Sequence, residues 1–580
     1  MAKPPKINLD TPATSIVYFS YSIIGKLQLS YYFRIKSFFL LLLPRIINKI
    51  ITSPKRKCMD VNNLNSLEER GENMRLDILK FGGALLFLIA VGLFINNTMG
   101  QGPNHTFLIV SAVIGGYMAL NIGANDVANN VGPAVGSGAI SLIGAICIAM
   151  VFESAGALIA GGEVVSTIKK GIIAPSLINN SDTFIWLMLA ALLAAAIWLN
   201  IATFFNAPVS TTHSIVGGVL GAGIAAGGFG IANWAVFGKI AASWVISPVL
   251  GGIIAATFLY LIKRTITYQE DKVLAAKRIL PLLIALMAWA FSTYLILKGL
   301  KKIWKVDFVM AGSIAFAIAL TLYFAVRPLI NKAAAALDNS KASVNTLFTI
   351  PLIFAAAFLS FAHGANDVAN AVGPLAAIND AITHGGIAKK AAIPLWIMLI
   401  GAVGLSLGLA LYGAKLIRTV GSEITELDKM RAFCISMAAA ITVIIASQFG
   451  LPVSSTHIAV GAIFGVGFLR EYLKRTDAKR LDEIREHHEH QDPEVTEAFL
   501  NTFNTASVAT KSKMLKELKA NSNETEFTKK ERKSLKKVYK QQLVKRSHVY
   551  KIAIAWVVTV PTSAFMAAFL YFTIRGILIP

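Results

Sequence analysis

Acidic and amide side chains recur in two short motifs of an otherwise apolar sequence. GANDVANNVGP begins at Gly123 and GANDVANAVGP begins at Gly364, and ten of their eleven residues are identical. Carboxylate and amide oxygens are hard ligands that suit Na⁺ or a proton-linked site. We expect the helix to loosen at each opening glycine and to offer backbone carbonyls as further ligands. The predicted cation ligands are Asn125, Asp126, Asn366 and Asp367, supported by Asn129 and Asn370 on the same helix faces.

Hydroxyl side chains recur in a second pair of motifs, PVSTTH from Pro208 and PVSSTH from Pro452. Proline is favoured at the first position of a helix, where unpaired N–H groups and a positive dipole end are presented. Such a helix start binds oxyanions, although Ser and Thr also serve there as ordinary caps. The histidines that follow, His213 and His457, are interpreted as packing or hydrogen-bonding residues. The predicted anion ligands are Ser210, Thr211, Thr212, Ser454, Ser455 and Thr456.

The predicted anion site has no positive side chain close to it in the sequence. Lys and Arg are absent from residues 107–168, 184–238, 347–388 and 432–469, which contain all four motifs. An oxyanion beside two ionised aspartates would be repelled in a low dielectric, so a mobile cation has to neutralise the site. The sequence therefore predicts cation-coupled anion symport.

Glu153, in VFESAGALIAGG, is a third acid in an apolar stretch. A carboxylate near the bilayer centre costs about 2.5–3.5 kcal/mol on insertion scales, so such a residue is expected to have a specific role. The matching stretch of the second copy has no acid near Leu405. Two interpretations stay open for Glu153: a second coupling site on one side only, or a charge partner for a loop lysine.

Composition places the chain in a bilayer. It has 580 residues, of which 55% are hydrophobic and 15% charged, whereas soluble proteins carry about 25% charged residues. The net charge of +23 does not indicate nucleic acid, because the basic residues cluster in connecting segments, as on the cytoplasmic side of membrane proteins. The apolar segments show no nucleophile–base pair and no cluster of metal ligands, so we predict neither an enzyme nor a resident metal or cofactor.

The two kinds of motif repeat together, at offsets of 241 and 244 residues. Four single spans and one pair of apolar segments separate the two Asn-Asp segments, so the second copy is predicted to run in the opposite direction, as in many transporters. The predicted fold is all-α: a polytopic membrane protein with two inverted-topology repeats and paired re-entrant hairpins, plus a small helical soluble insert.

The predicted division of the chain follows these repeats. The leader and the insert are basic and are therefore predicted to lie on the cytoplasmic side, which places the N-terminus in the cytoplasm. The segments are a basic cytoplasmic or interfacial leader (1–80), an extra transmembrane helix (81–104), the first repeat (105–262), connecting transmembrane helices (263–345), the second repeat (346–470), a charged cytoplasmic helical segment (471–549) and a C-terminal transmembrane helix (550–580).

The duplicated Gly-Ala-Asn-Asp and Pro-Val-Ser-Ser/Thr-Thr-His motifs resemble those of the inorganic phosphate transporter (PiT) family over residues 107–470. The resemblance implies symport of inorganic phosphate with Na⁺ or H⁺ through inverted repeats, with the paired hairpins meeting at the substrate. It assigns Asn125, Asp126, Asn366 and Asp367 to cation and substrate, and the six hydroxyl residues to phosphate. The protein is predicted to be an integral multi-pass protein of an inner or plasma membrane. A sulfate permease of the same fold and a passive anion channel are the alternatives, and a homodimer is left open.

Overall fold

The computed structural model describes residues 61–100, 102, 104–178, 180–205, 209–299, 306–384, 393–423, 427–487 and 546–578. Contacts divide the chain into residues 1–78 and 79–580. Within the first unit, the described residues form the beginning of one helix. Most of the predicted basic leader (1–80) and of the predicted charged segment (471–549) lies outside the described residues.

The described residues form helices joined by turns, with an isolated β-bridge between Ile173 and Ala232. Helices of the first half are α1 (Val61–Thr98), α2 (His105–Asn125), α3 (Val127–Gly136), α4 (Leu142–Ala160), α5 (Gly162–Lys170), α6 (Ser181–Phe204), α7 (Thr211–Gly227), α8 (Trp234–Ile262) and α9 (Lys272–Gly299). Those of the second half are α10 (Phe308–Ala334), α11 (Lys341–Leu347), α12 (Thr349–His384), α13 (Leu395–Glu423), α14 (Lys429–Gln448), α15 (Ser455–His487) and α16 (Arg546–Leu578).

Eleven segments in the described part of the chain are long and apolar enough to cross a membrane. These segments confirm the all-α, multi-pass membrane class. Helices α7 and α15, the second members of the two predicted pairs, are not among the eleven. The re-entrant course of each pair and the opposite direction of the two copies stay predictions. Helix α12 is the central span, with 89% of its apolar window buried, against 11% for α1 and 17% for α10.

The two Asn-Asp motifs differ in the hydrogen bonding of one turn, although Asp126 keeps helical dihedral angles (φ −88°, ψ −30°). In the first copy, the helix is interrupted at Asp126, whose carbonyl accepts both the backbone N–H and the side-chain amide of Asn129, at 3.0 and 3.1 Å. In the second copy, α12 continues through Gly364 and Asp367 to His384. The expected loosening at both opening glycines is therefore wrong: the first copy breaks three residues later, and the second does not break.

Gly123 and Gly364 instead allow two helices to approach closely. A Cβ on Gly123 would overlap the carbonyl oxygen of Leu405 in α13, and a Cβ on Gly364 would overlap that of Glu153 in α4. Since only glycine lacks a Cβ, these positions set the distance between each motif helix and its neighbour. The two crossings are built in the same way, which makes Glu153 and Leu405 equivalent positions of the two copies.

The C-terminal helix repeats a crossing found in the first copy. Gly217 of α7 faces the carbonyl of Val560 in α16, and Gly461 of α15, 244 residues later, faces the carbonyl of Pro248 in α8. Relative to α7, α16 thus has the packing position that α8 has relative to α15, while the boundary of the second repeat at residue 470 stays a prediction.

Candidate ion-binding site

The hydroxyl motifs form the beginnings of α7 and α15, but proline is not their first residue. Ser210 and Ser454 are the capping residues, and their hydroxyls accept the backbone N–H of His213 and His457 at 3.1 and 3.3 Å. Pro452 lies three residues before the start of α15, and Pro208 lies outside the described residues. The predicted helix start at Pro452 is wrong, because the serine satisfies the third N–H of the helix and so fixes where the helix begins.

The two helix starts meet the two predicted carboxylates. Thr211 Oγ1 donates to Asp126 Oδ2 at 2.7 Å, and Ser455 Oγ donates to Asp367 Oδ2 at 2.8 Å. Thr456 of the second copy also donates to Asp126, with Oγ1 to Oδ1 at 3.1 Å. All five side chains are buried, with at most 2% of their surface exposed. The four motifs therefore converge on one site in the interior.

The supporting asparagines connect the two copies. Asn129 Nδ2 donates to Thr456 Oγ1 at 2.9 Å, and Asn370 Nδ2 lies 3.1 Å from the hydroxyl oxygens of both Thr211 and Thr212. Each asparagine thus reaches the helix start of the other copy. The Oδ1 atoms of Asn129 and Asn370 are buried and have no hydrogen-bond partner among the described residues. These oxygens are free to bind a cation.

Asn125 and Asn366 have equivalent neighbours that the sequence reasoning missed. Asn125 Nδ2 donates to Thr203 Oγ1 at 3.0 Å, and Ser447 Oγ donates to Asn366 Oδ1 at 3.4 Å. Thr203 and Ser447 are separated by 244 residues, the same offset as the hydroxyl motifs that follow them. This shared offset was the signal that could have identified them. In addition, Asn366 Nδ2 donates to the carbonyl oxygen of Val453 at 2.8 Å, next to the start of α15.

Glu153 is joined to the site by a histidine. Its Oε1 accepts from Asn130 Nδ2 at 2.8 Å and lies 3.1 Å from His363 Nδ1, while His363 Nε2 lies 2.8 Å from Asp367 Oδ2. The interpretation of Glu153 as the partner of a loop lysine is wrong. Lys169, a buried lysine, pairs with Asp380. His363 was missed, although it directly precedes the second Asn-Asp motif.

His213 and His457 lie together beside the helix starts. Their ring centroids are 4.4 Å apart, and the ring of Trp244 lies 3.8 Å from that of His213. Both histidines are buried, with 4% and 1% exposed. The edge-to-face contact of the two histidines places the first turns of α7 and α15 against each other.

The arrangement can hold a cation between acidic groups. One ligand atom from each of Asp126, His363 and Asp367 lies within 4.8 Å of the others. Around them the structure supplies amide oxygens, hydroxyls and the first turns of two helices. Such a set suits a hard cation together with an oxyanion.

A bundle of candidate membrane spans built around this buried polar cluster defines a multi-pass membrane transport protein. The profile of the phosphate transporter family matches residues 122–567. The chain belongs to this family, which confirms the resemblance seen in the motifs.

Similar proteins cover between 63% and 88% of the chain. A protein from Helicobacter pylori strain J99, named as a phosphate permease, is 53% identical over 524 residues, which span 88% of this chain and 98% of the relative. A phosphate permease homologue from Pyrococcus horikoshii is 40% identical and spans 63% of this chain and 90% of the relative. A solved structure named as the sodium-dependent phosphate transporter matches with a TM-score of 0.67 and 32% identity, over 82% of this chain and all of that one.

Proposed function

We propose that this protein is a secondary active symporter that moves inorganic phosphate across the membrane together with Na⁺. The observation that carries the proposal is the direct hydrogen bonding of Thr211 to Asp126 and of Ser455 to Asp367. The predicted anion ligands and the predicted cation ligands therefore contact each other and form one cluster. The solved relative named for sodium dependence favours Na⁺ as the coupling ion.

Charge makes the coupling obligatory. Two unit charges of the same sign roughly 4 Å apart repel each other by about 4 kcal/mol at an effective dielectric constant of about 20. Hydrogen phosphate beside Asp126 and Asp367 meets this repulsion from both carboxylates, and the motif-bearing segments contain no Lys or Arg to offset it. Sodium ions on the carboxylates remove the repulsion and allow the anion to enter.

Hydrogen bonding provides a second coupling between the two ions. In this structure the hydroxyl protons of Thr211, Ser455 and Thr456 are donated to the carboxylates. A hydroxyl has one proton to donate, so it cannot serve a phosphate oxygen at the same time. When Na⁺ binds the carboxylates, the hydroxyl protons can be donated to phosphate instead, and the hydroxyl oxygens can coordinate Na⁺. We infer that Na⁺ binds before phosphate.

Phosphate is preferred to sulfate for a chemical reason. Hydrogen phosphate has a P–OH donor, and sulfate has none at neutral pH. A carboxylate is a hydrogen-bond acceptor, so Asp126 or Asp367 can accept the P–OH group of hydrogen phosphate. Sulfate has no such donor to offer to the carboxylate. A cytoplasmic N-terminus and a homodimer stay predictions for this transporter.

The proposal is tested by uptake of radiolabelled phosphate into proteoliposomes that contain the full-length protein. We expect an inward Na⁺ gradient to drive accumulation above equilibrium, excess unlabelled sulfate to compete weakly, and collapse of the gradient to abolish accumulation. Accumulation driven by a proton gradient in Na⁺-free buffer would assign the coupling to H⁺ instead. Equilibration that is independent of both gradients would indicate a passive channel and contradict symport.

A further inference from the structure

Among the described residues, a buried polar chain reaches hydrogen-bonding distance of Asp367 and not of Asp126. It runs from Asn130 to Glu153, from Glu153 to His363 and from His363 to Asp367, with successive atoms 2.8, 3.1 and 2.8 Å apart. Each of the four side chains has at most 1% of its surface exposed. The chain joins α3, α4 and α12 and ends on a predicted cation ligand.

The equivalent positions of the other copy cannot form such a chain. At the offset of 241 residues, His363 corresponds to Ile122 and Asn130 corresponds to Ala371. The position of Glu153 corresponds to Leu405, because the two residues face Gly364 and Gly123 in the two equivalent helix crossings. The three polar side chains that lead to Asp367 are thus replaced by three apolar side chains at the equivalent positions that would lead to Asp126.

The two aspartates consequently depend on different parts of the fold. Both side-chain hydrogen bonds of Asp126 come from the helix starts, Thr211 of α7 and Thr456 of α15. Asp367 also accepts from a helix start, but it has further contacts with His363 and Asn366 of its own helix. A movement that separates the helix starts from the motif helices would free Asp126 and leave Asp367 held.

We propose that Asn130, Glu153 and His363 are positioning residues that keep the carboxylate of Asp367 in one orientation as a fixed Na⁺ ligand, while Asp126 is the ligand that releases and rebinds its partners during transport. The inference rests on the proposed Na⁺-coupled function. It makes the site asymmetric although its four motifs are duplicated. Glu153 acts through His363 and does not itself touch the transported ions.

The test compares Glu153→Leu, which introduces the residue of the other copy, with Glu153→Gln, whose side-chain oxygen can still accept from Asn130 and occupy the position beside His363. In proteoliposomes the KM for Na⁺ and the KM for phosphate at saturating Na⁺ are measured separately. We expect Glu153→Leu to raise the KM for Na⁺ by about tenfold or more, as loss of groups that orient metal ligands does. For Glu153→Leu, the KM for phosphate at saturating Na⁺ should change by less than about threefold. For Glu153→Gln, both KM values should change by less than about threefold, well below the rise expected for the KM of Glu153→Leu for Na⁺.

Two further variants protect the test against misfolding. Asn130→Ala, which also introduces the residue of the other copy, should raise the KM for Na⁺ in the same direction. Leu405→Ala removes a buried side chain at the equivalent position and should leave the ratio of the two KM values unchanged.

Different results separate this inference from the proposed function. An unchanged KM for Na⁺ in Glu153→Leu, an equal rise in both KM values, or equal impairment of Glu153→Gln and Glu153→Leu would overturn the positioning role alone, provided that the wild type shows Na⁺-driven uptake. A wild type without Na⁺-driven uptake would overturn the proposed function and this inference together.

Discussion

Asp126→Asn should abolish accumulation of phosphate against its gradient. Asparagine keeps the shape of the side chain, and its single amide oxygen can accept from one of the two hydroxyls, Thr211 or Thr456, which donate to different oxygens of Asp126 in the wild type. It carries no charge, so it binds Na⁺ weakly and no longer repels phosphate. We expect Na⁺-driven uptake to fall by at least about tenfold, within the usual range of coupling free energies, and phosphate binding to become less dependent on Na⁺. Asp367→Asn is expected to have an effect of the same kind.

Asp271→Asn is the matched control for these variants. Asp271 is exposed and accepts the backbone N–H of Leu274 at 2.8 Å near the start of α9, a role that asparagine also fulfils. The substitution removes the same charge outside the site, so uptake should match the wild type. Full Na⁺-driven accumulation by both Asp126→Asn and Asp367→Asn would refute the coupling role of the carboxylates.

Gly123→Ala and Gly364→Ala should prevent folding or strongly destabilise the protein. The added methyl groups would overlap the carbonyl oxygens of Leu405 and Glu153, which are backbone atoms and cannot turn away. Overpacking of this kind costs about 3 kcal/mol or more when the neighbour cannot move. We expect low yield of monodisperse protein, and a large fall in melting temperature for any protein that is recovered.

Gly312→Ala provides the comparison for these glycine variants. Gly312 lies in the candidate span α10, and a Cβ there would meet no atom within 4 Å. Its substitution tests the general effect of alanine in a membrane helix and should leave the melting temperature within a few degrees of the wild type, because alanine is the better helix former. Wild-type stability of Gly123→Ala would show that the helices can separate and that the close crossing is dispensable.

The composition and the repeated motifs were sufficient to predict the class, the family and the residues that converge. Asp126 and Asp367 are distant in sequence from Thr211 and Ser455, yet each pair forms a hydrogen bond in the structure. The motifs could be predicted to meet because carboxylates, amides and helix starts in apolar segments have few other partners for their polar atoms.

Local sequence could not predict the backbone at the motifs. Ten of eleven residues are identical after Gly123 and Gly364, yet one helix is interrupted at Asp126 and the other continues through Asp367. Because the letters are nearly identical, the surroundings of each motif must decide whether the helix is interrupted for one residue there. The same limit applies to His363, because its role depends on Glu153, which lies on another helix.

The measurement that tests the central claim most directly is equilibrium binding of radiolabelled phosphate to the purified wild-type protein, in Na⁺ and in choline of equal ionic strength at alkaline pH. We predict that Na⁺ tightens phosphate binding by about tenfold or more, and that phosphate tightens Na⁺ binding by the same factor. Phosphate binding of equal affinity in the two buffers would contradict the account, because the anion would then need no cation to lie beside Asp126 and Asp367.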